Sequence, residues 1–268
     1  MYDVYRPKSE VLRKYISEFT ILKKEAFTPI NYVAFPHYVG SIVFLANAKV
    51  EYYNFKIKVT KADTNAPFIV VLGKYLKPLH LFYQDYVDEI GINFTPTGMN
   101  YFFDDNFDKI AKEPFQFLNN KNWNDFSKIL FQQNENERIE LLENFLLSQV
   151  KKKDLKNIEH IIEILQNDVS IRVKDIAVKM YISERTINRL FHKYIGCSPI
   201  AYKKILRFRN SVIMKNEEMN LTELSLDNAY YDSPHFTNEF KQLTAINPKK
   251  FFNQLTKIGD KEFPYIFK

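Results

Sequence analysis

A repeated block in the last third of the chain constrains the fold more than any other feature. The run Phe-His-Lys-Tyr-Ile-Gly-Cys-Ser-Pro, from Phe191 to Pro199, is echoed 49 residues later by Phe-Lys-Gln-Leu-Thr-Ala-Ile-Asn-Pro, from Phe240 to Pro248. At the same offset Ser183 falls on Asp232, and both residue types are favoured helix N-caps. Because a repeated supersecondary unit rarely arises by chance, the block predicts two copies of one structure.

The residues around the first block predict two helices joined by a tight turn. Apolar side chains recur at helical spacing after Ser183, which indicates a capped helix with one buried face. They are Ile187, Leu190, Phe191 and Tyr194. A shorter amphipathic helix from Val173 to Met180 precedes this one, so the pattern is that of a helix-turn-helix. Upstream of the caps the offset falls to 48, which predicts a second turn that is one residue longer.

Polar side chains lie opposite the buried face of each second helix. In the first copy they are Arg185, Asn188, Arg189 and His192; in the second they are Ser233, His235 and Asn238, with Lys241 one turn further on. Arginine and asparagine supply the donors that read base edges in a major groove, and a bidentate arginine to guanine is the commonest specific contact. We therefore predict DNA contact by all eight residues, with Arg189 as the strongest candidate and Lys241 suited to a phosphate. An ordinary solvated helix face is the alternative interpretation.

On these residues the chain resembles the two-fold helix-turn-helix DNA-binding domain of AraC/XylS-type bacterial transcription regulators. The run from Tyr230 to Lys241, Tyr-Tyr-Asp-Ser-Pro-His-Phe-Thr-Asn-Glu-Phe-Lys, is especially similar to the signature of the second unit. The resemblance covers residues 155 to 254 and implies a sequence-specific regulator of transcription. It favours activation over repression, and an activator would have RNA polymerase as a partner.

The second copy departs from the family pattern. Ala229 and Ala245 replace customary glycines, and Glu239 stands where the first copy has Leu190. These changes predict looser packing and weaker reading in the second copy. Base reading by this copy and phosphate contact alone are both left open.

A long helix is predicted between the two copies. Ser198-Pro199 is an N-cap followed by proline at the first helical position, and helical spacing continues to about Lys215. Such a helix is roughly 25 Å long and could present two recognition helices to major-groove turns about 34 Å apart. Its outer face is expected to carry Lys203, Lys204 and Arg207. We therefore expect one chain to read an asymmetric site of two boxes.

The first half of the chain changes to the period-two pattern of β-strands. Strands are predicted over Ser41 to Ala46, Phe55 to Val59, Phe68 to Leu72 and Ile90 to Phe94, and helices over Pro7 to Ile16 and Glu135 to Val150. An antiparallel sheet or small barrel follows. This half is similar to the sensor-like domain that precedes some AraC-type domains, which implies binding of a small effector, homodimer formation, or both.

The fold class predicted from these patterns is α+β. Residues 1–153 are a β-rich sensor-like or dimerisation domain with helices. Residues 154–256 are an all-α DNA-binding domain with two helix-turn-helix units joined by a long helix, and residues 257–268 are a C-terminal tail. The boundary is placed at Lys151-Lys-Lys-Asp154, where the helical pattern breaks.

Composition excludes several functional classes. The net charge is +6, and residues 154–256 hold 15 lysine and arginine against 12 aspartate and glutamate, so charge placement rather than total charge indicates double-stranded DNA as the partner. No apolar run approaches the length of a membrane span, and the first residues lack the basic-then-apolar pattern of a signal peptide, so we expect a cytoplasmic protein without a membrane partner. Neither a catalytic motif nor paired histidines occur, so we expect no enzyme activity, cofactor or metal.

Two alternative functions are left open by the sequence. The single cysteine, Cys197, could serve a thiol-dependent response to DNA alkylation, although a small structural residue is the more usual role of a free cysteine. The other alternative is a protein-interaction module whose helix-turn-helix units have drifted from DNA binding.

Overall fold

The structure, a computed structural model, describes residues 2–22, 24, 27–64, 66–216, 218–258 and 263–267, with side chains up to residue 255. Its strands belong mostly to the first half of the chain. They are β1 (Tyr2–Tyr5), β2 (Ile16–Leu22), β3 (Ile30–Ala34), β4 (Ser41–Ala46), β5 (Ala48–Tyr53), β6 (Lys56–Lys61), β7 (Phe68–Leu72), β8 (Leu79–Tyr83), β9 (Asp88–Phe94), β10 (Phe115–Phe117), β11 (Thr256–Ile258) and β12 (Phe263–Phe267).

The strands form two sheets that share a hydrophobic core. One sheet has the order β1-β2-β9-β4-β7-β10, and the other has the order β11-β12-β3-β8-β6-β5. Their pairing is antiparallel except between β6 and β8, which run parallel. Apolar residues of both sheets, such as Leu45, Val70 and Leu81, pack in one cluster. The predicted β-rich half is confirmed, and the bounds of β4 and β7 agree with the prediction.

Helices cover one side of this half. They are α1 (Glu10–Arg13), a 3-10 helix (Gly98–Phe102), α2 (Phe107–Ile110), α3 (Lys121–Leu130) and α4 (Glu135–Gln149). The helix predicted from Pro7 to Ile16 is wrong in length, because from Ile16 the chain pairs with β9 and becomes β2. Helix α4 packs on its own half through Leu142 and Leu146, and its buried Glu143 accepts hydrogen bonds from backbone N–H groups before α1.

The second half is helical up to residue 254, as predicted. Its helices are α5 (Lys156–Asn167), α6 (Val173–Lys179), α7 (Glu184–Ile195), α8 (Pro199–Met214), α9 (Leu221–Asp227), α10 (Ser233–Thr244) and α11 (Pro248–Gln254). We call α6 with α7 the first unit and α9 with α10 the second unit. Among the described residues, no helix is both long and apolar enough to span a membrane.

Helix α8 contributes to two hydrophobic cores. Tyr202 and Leu206 belong to a core that continues through the first unit into the sheets and helices of the first half. Ile205, Phe208 and Val212 belong to the core of the second unit. Because one helix supplies both cores, the two units are held in a fixed relation to each other.

The end of the chain returns to the first half. Strand β12 pairs with β3, with Ile266 opposite Val33. The predicted tail, 257–268, therefore includes strand residues, while positions 259–262 and 268 lie outside the described residues. The division of the chain at residues 151–153 stays a prediction.

Candidate nucleic-acid interface

The predicted reading face of the first unit is exposed. Ser183 caps α7, since its hydroxyl accepts a hydrogen bond from the Thr186 N–H at 3.1 Å. Ile187, Phe191 and Ile195 are buried on the inner side of this helix. On the outer side, Arg185, Asn188, Arg189 and His192 are all exposed. The fold thus brings the four predicted residues together on one solvent-facing surface, and their contact with DNA stays a prediction.

One of these side chains is bound within its own helix. The Asn188 Nδ2 donates to the Glu184 carbonyl oxygen at 2.9 Å. This hydrogen bond uses one of the two Nδ2 hydrogens of Asn188. In the same stretch Glu184, the first residue of α7, is favoured by the helix dipole but adds negative charge near any approaching phosphate.

The second unit presents a smaller polar face. His235, Asn238 and Lys241 are exposed on α10, whereas Ser233 is half-buried with its hydroxyl 3.5 Å from those of Thr222 and Ser225. The fold therefore brings three of the four predicted residues onto the outer face and turns Ser233 toward α9.

A buried ion pair joins α10 to α8. Glu239 is 3% exposed and accepts hydrogen bonds from the Arg207 guanidinium of α8, the shortest at 2.6 Å. Arg207 also lies over the Tyr230 ring, 5.0 Å from its centroid. The acidic residue that was expected to loosen the unit is thus neutralised by α8.

The three cations predicted on the outer face of α8 are each paired with a neighbouring group. Arg207 is engaged with Glu239, the Lys203 Nζ donates to the Ile171 carbonyl oxygen at 2.5 Å, and the Lys204 Nζ donates to the Gln242 side chain at 3.2 Å. All three side chains are half-buried. Their role in the structure is to attach α8 to neighbouring elements, and helical periodicity alone could not reveal these partners.

Two alanines of the second unit adopt the backbone conformation that glycine favours. Ala229 has φ = 58° in the turn and Ala245 has φ = 61° at the end of α10. In the first unit Gly196 ends α7 with φ = 79°. The backbone of the motif is therefore retained where glycine is absent, at a steric cost of roughly 1–2 kcal/mol for each alanine.

The end of α7 packs against the first half of the chain. The Asn100 side chain donates to the Tyr194 carbonyl oxygen at 2.9 Å, and a Cβ on Gly196 would lie 2.6 Å from the Phe107 ring. The Lys74 ammonium lies 5.6 Å from the centroid of the same ring. Its Nζ is buried without a hydrogen-bond partner among the described residues, and burial lowers the pKa of Lys74 to about 7.

Cys197 lies at this contact and is buried. Burial raises the pKa of its thiol, and the neighbouring Lys74 amine acts in the opposite direction. A protonated, covered thiol is a poor nucleophile, so the geometry gives no support to the alkylation alternative. Within the described residues, no group of three or more histidine, cysteine, aspartate or glutamate side chains could hold a metal ion.

Comparison with known proteins gives a matching family model and several relatives. A family model described as a helix-turn-helix domain matches residues 176–254, which include the second helix of the first unit and all of the second unit. Over 80 residues the chain is 31% identical to the HTH-type transcriptional regulator GbdR of Pseudomonas aeruginosa, covering 30% of this chain and 22% of that protein. Over 121 residues it is 26% identical to the Msm operon regulatory protein of Streptococcus mutans serotype c, covering 43% and 44%.

These alignments span less than half the length of the curated relatives. Among solved structures, that of ToxT from Vibrio cholerae aligns with 94% of this chain and 97% of its own, at 13% identity and a TM-score of 0.48.

Proposed function

We propose that this protein, whose C-terminal region is an AraC-type helix-turn-helix domain, is a sequence-specific DNA-binding regulator of transcription. The observation that carries the proposal is the pair of exposed polar helices, α7 and α10, held on one shared helix, α8. A single helix-turn-helix can have a purely structural role. Two copies with solvent-facing donors on the equivalent helix of each favour the reading of one DNA duplex at two places.

Each unit has a distinct part in the proposed recognition. Backbone N–H groups at the helix N-termini and the Lys241 side chain contact phosphates and set the register of the protein on the duplex. Arg185, Asn188 and Arg189 then read one major-groove segment. His235 and Asn238 reach into the next segment, since the 16 residues of α8 extend about 24 Å along the DNA.

The first half offers a place for a small effector. A cavity of about 110 Å³ lies between the two sheets, and tyrosine and carboxylate side chains line it. Glu89 is buried there and accepts hydrogen bonds from the Tyr2 hydroxyl at 2.9 Å and the Tyr83 hydroxyl at 2.5 Å. Burial raises the pKa of the Glu89 carboxyl. Apolar side chains such as Val43 and Leu81 line the rest of the cavity, so it suits a small, mainly apolar molecule that carries a polar group.

One wall of this cavity is tied to the DNA-binding region. Ala34 and Tyr75 line the cavity, and the Tyr75 hydroxyl donates to the Phe35 carbonyl oxygen at 3.3 Å. The buried Arg209 of α8 donates to the same oxygen and to that of Pro36, both at 2.9 Å. A ligand that moves this wall would alter the support of α8, and it would shift the balance between DNA-competent states if it binds them differentially.

The remaining parts of the proposal rest on the family resemblance. The regulator acts in the cytoplasm, activates transcription through contact with RNA polymerase, and uses its first half for effector binding or for homodimer formation. Sedimentation at two protein concentrations measures the last of these. A change in the affinity for DNA when a ligand occupies the cavity, lost in Glu89→Gln, measures the effector role.

Selection of bound fragments from random DNA at physiological salt tests the central function. We expect an asymmetric motif of two boxes, with one box lost when Arg189→Ala is used, because a well-placed bidentate arginine contributes about 1–3 kcal/mol of base discrimination. Arg172→Ala is the matched control. Arg172 is an exposed arginine that directly precedes α6, and it is paired with Asp175 of that helix. Failure of the wild-type protein to enrich any motif, with and without cell extract as a source of effector, would contradict the proposal.

A further inference from the structure

Tyr181 combines an unfavourable backbone with an unprotected side chain. It has φ = 54°, a left-handed conformation in which the Cβ of any residue other than glycine crowds the following carbonyl group. Its side chain is 96% exposed, so packing within the fold does not stabilise the ring in this place. A strained residue whose side chain the fold leaves exposed is a reason to look for a function.

The position of Tyr181 is next to the predicted reading face. It forms the corner between α6 and α7, where its N–H donates to the Val178 carbonyl oxygen at 3.2 Å. Ser183, the N-cap of α7, follows two residues later, and Arg185 lies in the first turn of the helix. In a helix-turn-helix the N-terminal end of the recognition helix enters the major groove, so this corner faces the edge of the duplex.

The second unit also has an exposed tyrosine in this turn, but at a different position. Ala229 has the backbone conformation of Tyr181, with φ = 58° and an N–H that donates to the Leu226 carbonyl oxygen at 3.1 Å. Its methyl group cannot reach beyond the turn. However, this turn is one residue longer, and Tyr231, directly before the N-cap Asp232, is 90% exposed. Both units therefore display an exposed phenol in the turn before the recognition helix, from different backbone positions.

The chemistry of an exposed phenol suits the DNA backbone. Its hydroxyl can donate to a phosphate oxygen while the ring lies against the sugar, and tyrosine is among the side chains that make such positioning contacts. We propose that Tyr181 and Tyr231 contact the sugar-phosphate backbone beside each box and fix the depth and angle at which α7 and α10 enter the groove. This inference rests on the proposed DNA-binding function.

Replacement of Tyr181 by glycine separates a functional role from a structural one. Tyr181→Gly removes the side chain and permits the left-handed backbone, so we expect a rise in Tm of about 2 °C or more together with about three- to tenfold weaker binding to the selected site. Tyr181→Phe, which lacks only the hydroxyl, measures the share of the phosphate hydrogen bond. Tyr231→Ala should weaken binding in the same direction.

The salt dependence of binding identifies the kind of contact. A neutral phenol releases no counterion, so the slope of affinity against salt concentration should be unchanged in Tyr181→Gly. Lys241→Ala, which removes a charge, should reduce that slope by about one. Tyr53→Ala is the matched control, because Tyr53 is 79% exposed in the first half and should not affect binding.

Two results would overturn the inference. One is unchanged or tighter DNA binding by both Tyr181→Gly and Tyr231→Ala while the wild-type protein binds its selected site. The other is unchanged DNA binding with lower transcription in a purified system containing RNA polymerase, which would assign the tyrosines to a protein partner. If the wild-type protein binds no DNA at all, the proposed function itself fails, and the two failures are thus distinguishable.

Discussion

The two helix-turn-helix units have the same order of helices but different means of support. The first unit ends α7 with Gly196 and places the apolar Leu190 toward its core, which continues into the first half of the chain. The second unit ends α10 with Ala245 in the left-handed region, and it holds Glu239 where the first has Leu190. The motif therefore tolerates both changes, provided that Arg207 neutralises the buried carboxylate.

This difference predicts that the two units differ in stability. The first unit is anchored on a large apolar core and presents four exposed polar side chains. The second unit has two left-handed alanines, against one left-handed tyrosine in the first, and a buried ion pair, and both differences make it more sensitive to substitution. We therefore expect the second unit to lose its structure before the first when the protein is stressed.

The largest effect is expected at the ion pair under α10. Glu239→Ala leaves the Arg207 charge without its partner in a covered site, which should lower the free energy of unfolding by about 3–5 kcal/mol. The double variant Arg207→Met with Glu239→Leu should be close to wild type, because an apolar pair of similar volume replaces a buried ion pair at little cost. Chemical denaturation measures both.

The control for this prediction is an exposed pair in the first unit. Arg172 and Asp175 form a salt bridge at 2.7 Å with the arginine 77% exposed, and Asp175→Ala should cost less than about 1 kcal/mol. Equal losses in the free energy of unfolding for Glu239→Ala and Asp175→Ala would show that burial does not determine how much the ion pair of the second unit contributes to stability.

A pH-dependent effect is expected where the first unit contacts the first half. The pKa of Lys74 is lowered to about 7 by burial, while the neighbouring Cys197 raises it and Arg209 lowers it. The unfolded chain binds this proton up to about pH 10.4, so stability should rise with pH between about 7 and 10.4, by at most about 1.4 kcal/mol per pH unit, and not change further below 7.

Lys74→Met should remove this dependence. The variant should be more stable than wild type at pH 7, and the gain should shrink toward zero near pH 10.4. Lys77→Met is the control, because Lys77 lies on the exposed part of the same loop. A constant difference between Lys74→Met and wild type across this pH range would contradict the burial of an uncharged amine.

The smallest effect is expected from a reciprocal exchange at the ends of the two recognition helices. Ala245→Gly relieves the left-handed strain and should stabilise the protein by about 1 kcal/mol. Gly196→Ala introduces that strain and also a contact of 2.6 Å with Phe107, so it should destabilise by about 1–2 kcal/mol or more. Thermal unfolding measures both, and a change of the same sign at the two sites would contradict the equivalence of the turns.

Local patterns in the sequence were sufficient to predict the helices of the two helix-turn-helix units. The repeat with its caps at Ser183 and Asp232 predicted both helix-turn-helix units and the long helix between them, because capping and helical spacing are properties of neighbouring residues. The bounds of β4 and β7 were predicted for the same reason, since each is a continuous β-branched or apolar run.

The tertiary contacts that support the two units could not be predicted from local patterns. Arg207 and Glu239 are 32 residues apart, and Arg209 is 173 residues from Pro36, so their pairing depends on tertiary packing. Similarly, the helix predicted to Ile16 gives way to β2 because β9 pairs with that segment. The return of β12 to β3 joins the C-terminal segment to the first half of the chain and has no local signal.

The central claim is that α8 holds the two units at a fixed spacing on DNA. The most direct test is the affinity of the purified protein for its selected site after 5 base pairs are inserted between the two boxes. Because half a helical turn places the second box on the other side of the duplex, we predict a loss of about tenfold or more, equal to that from scrambling the second box. Unchanged affinity for the lengthened site would contradict the claim.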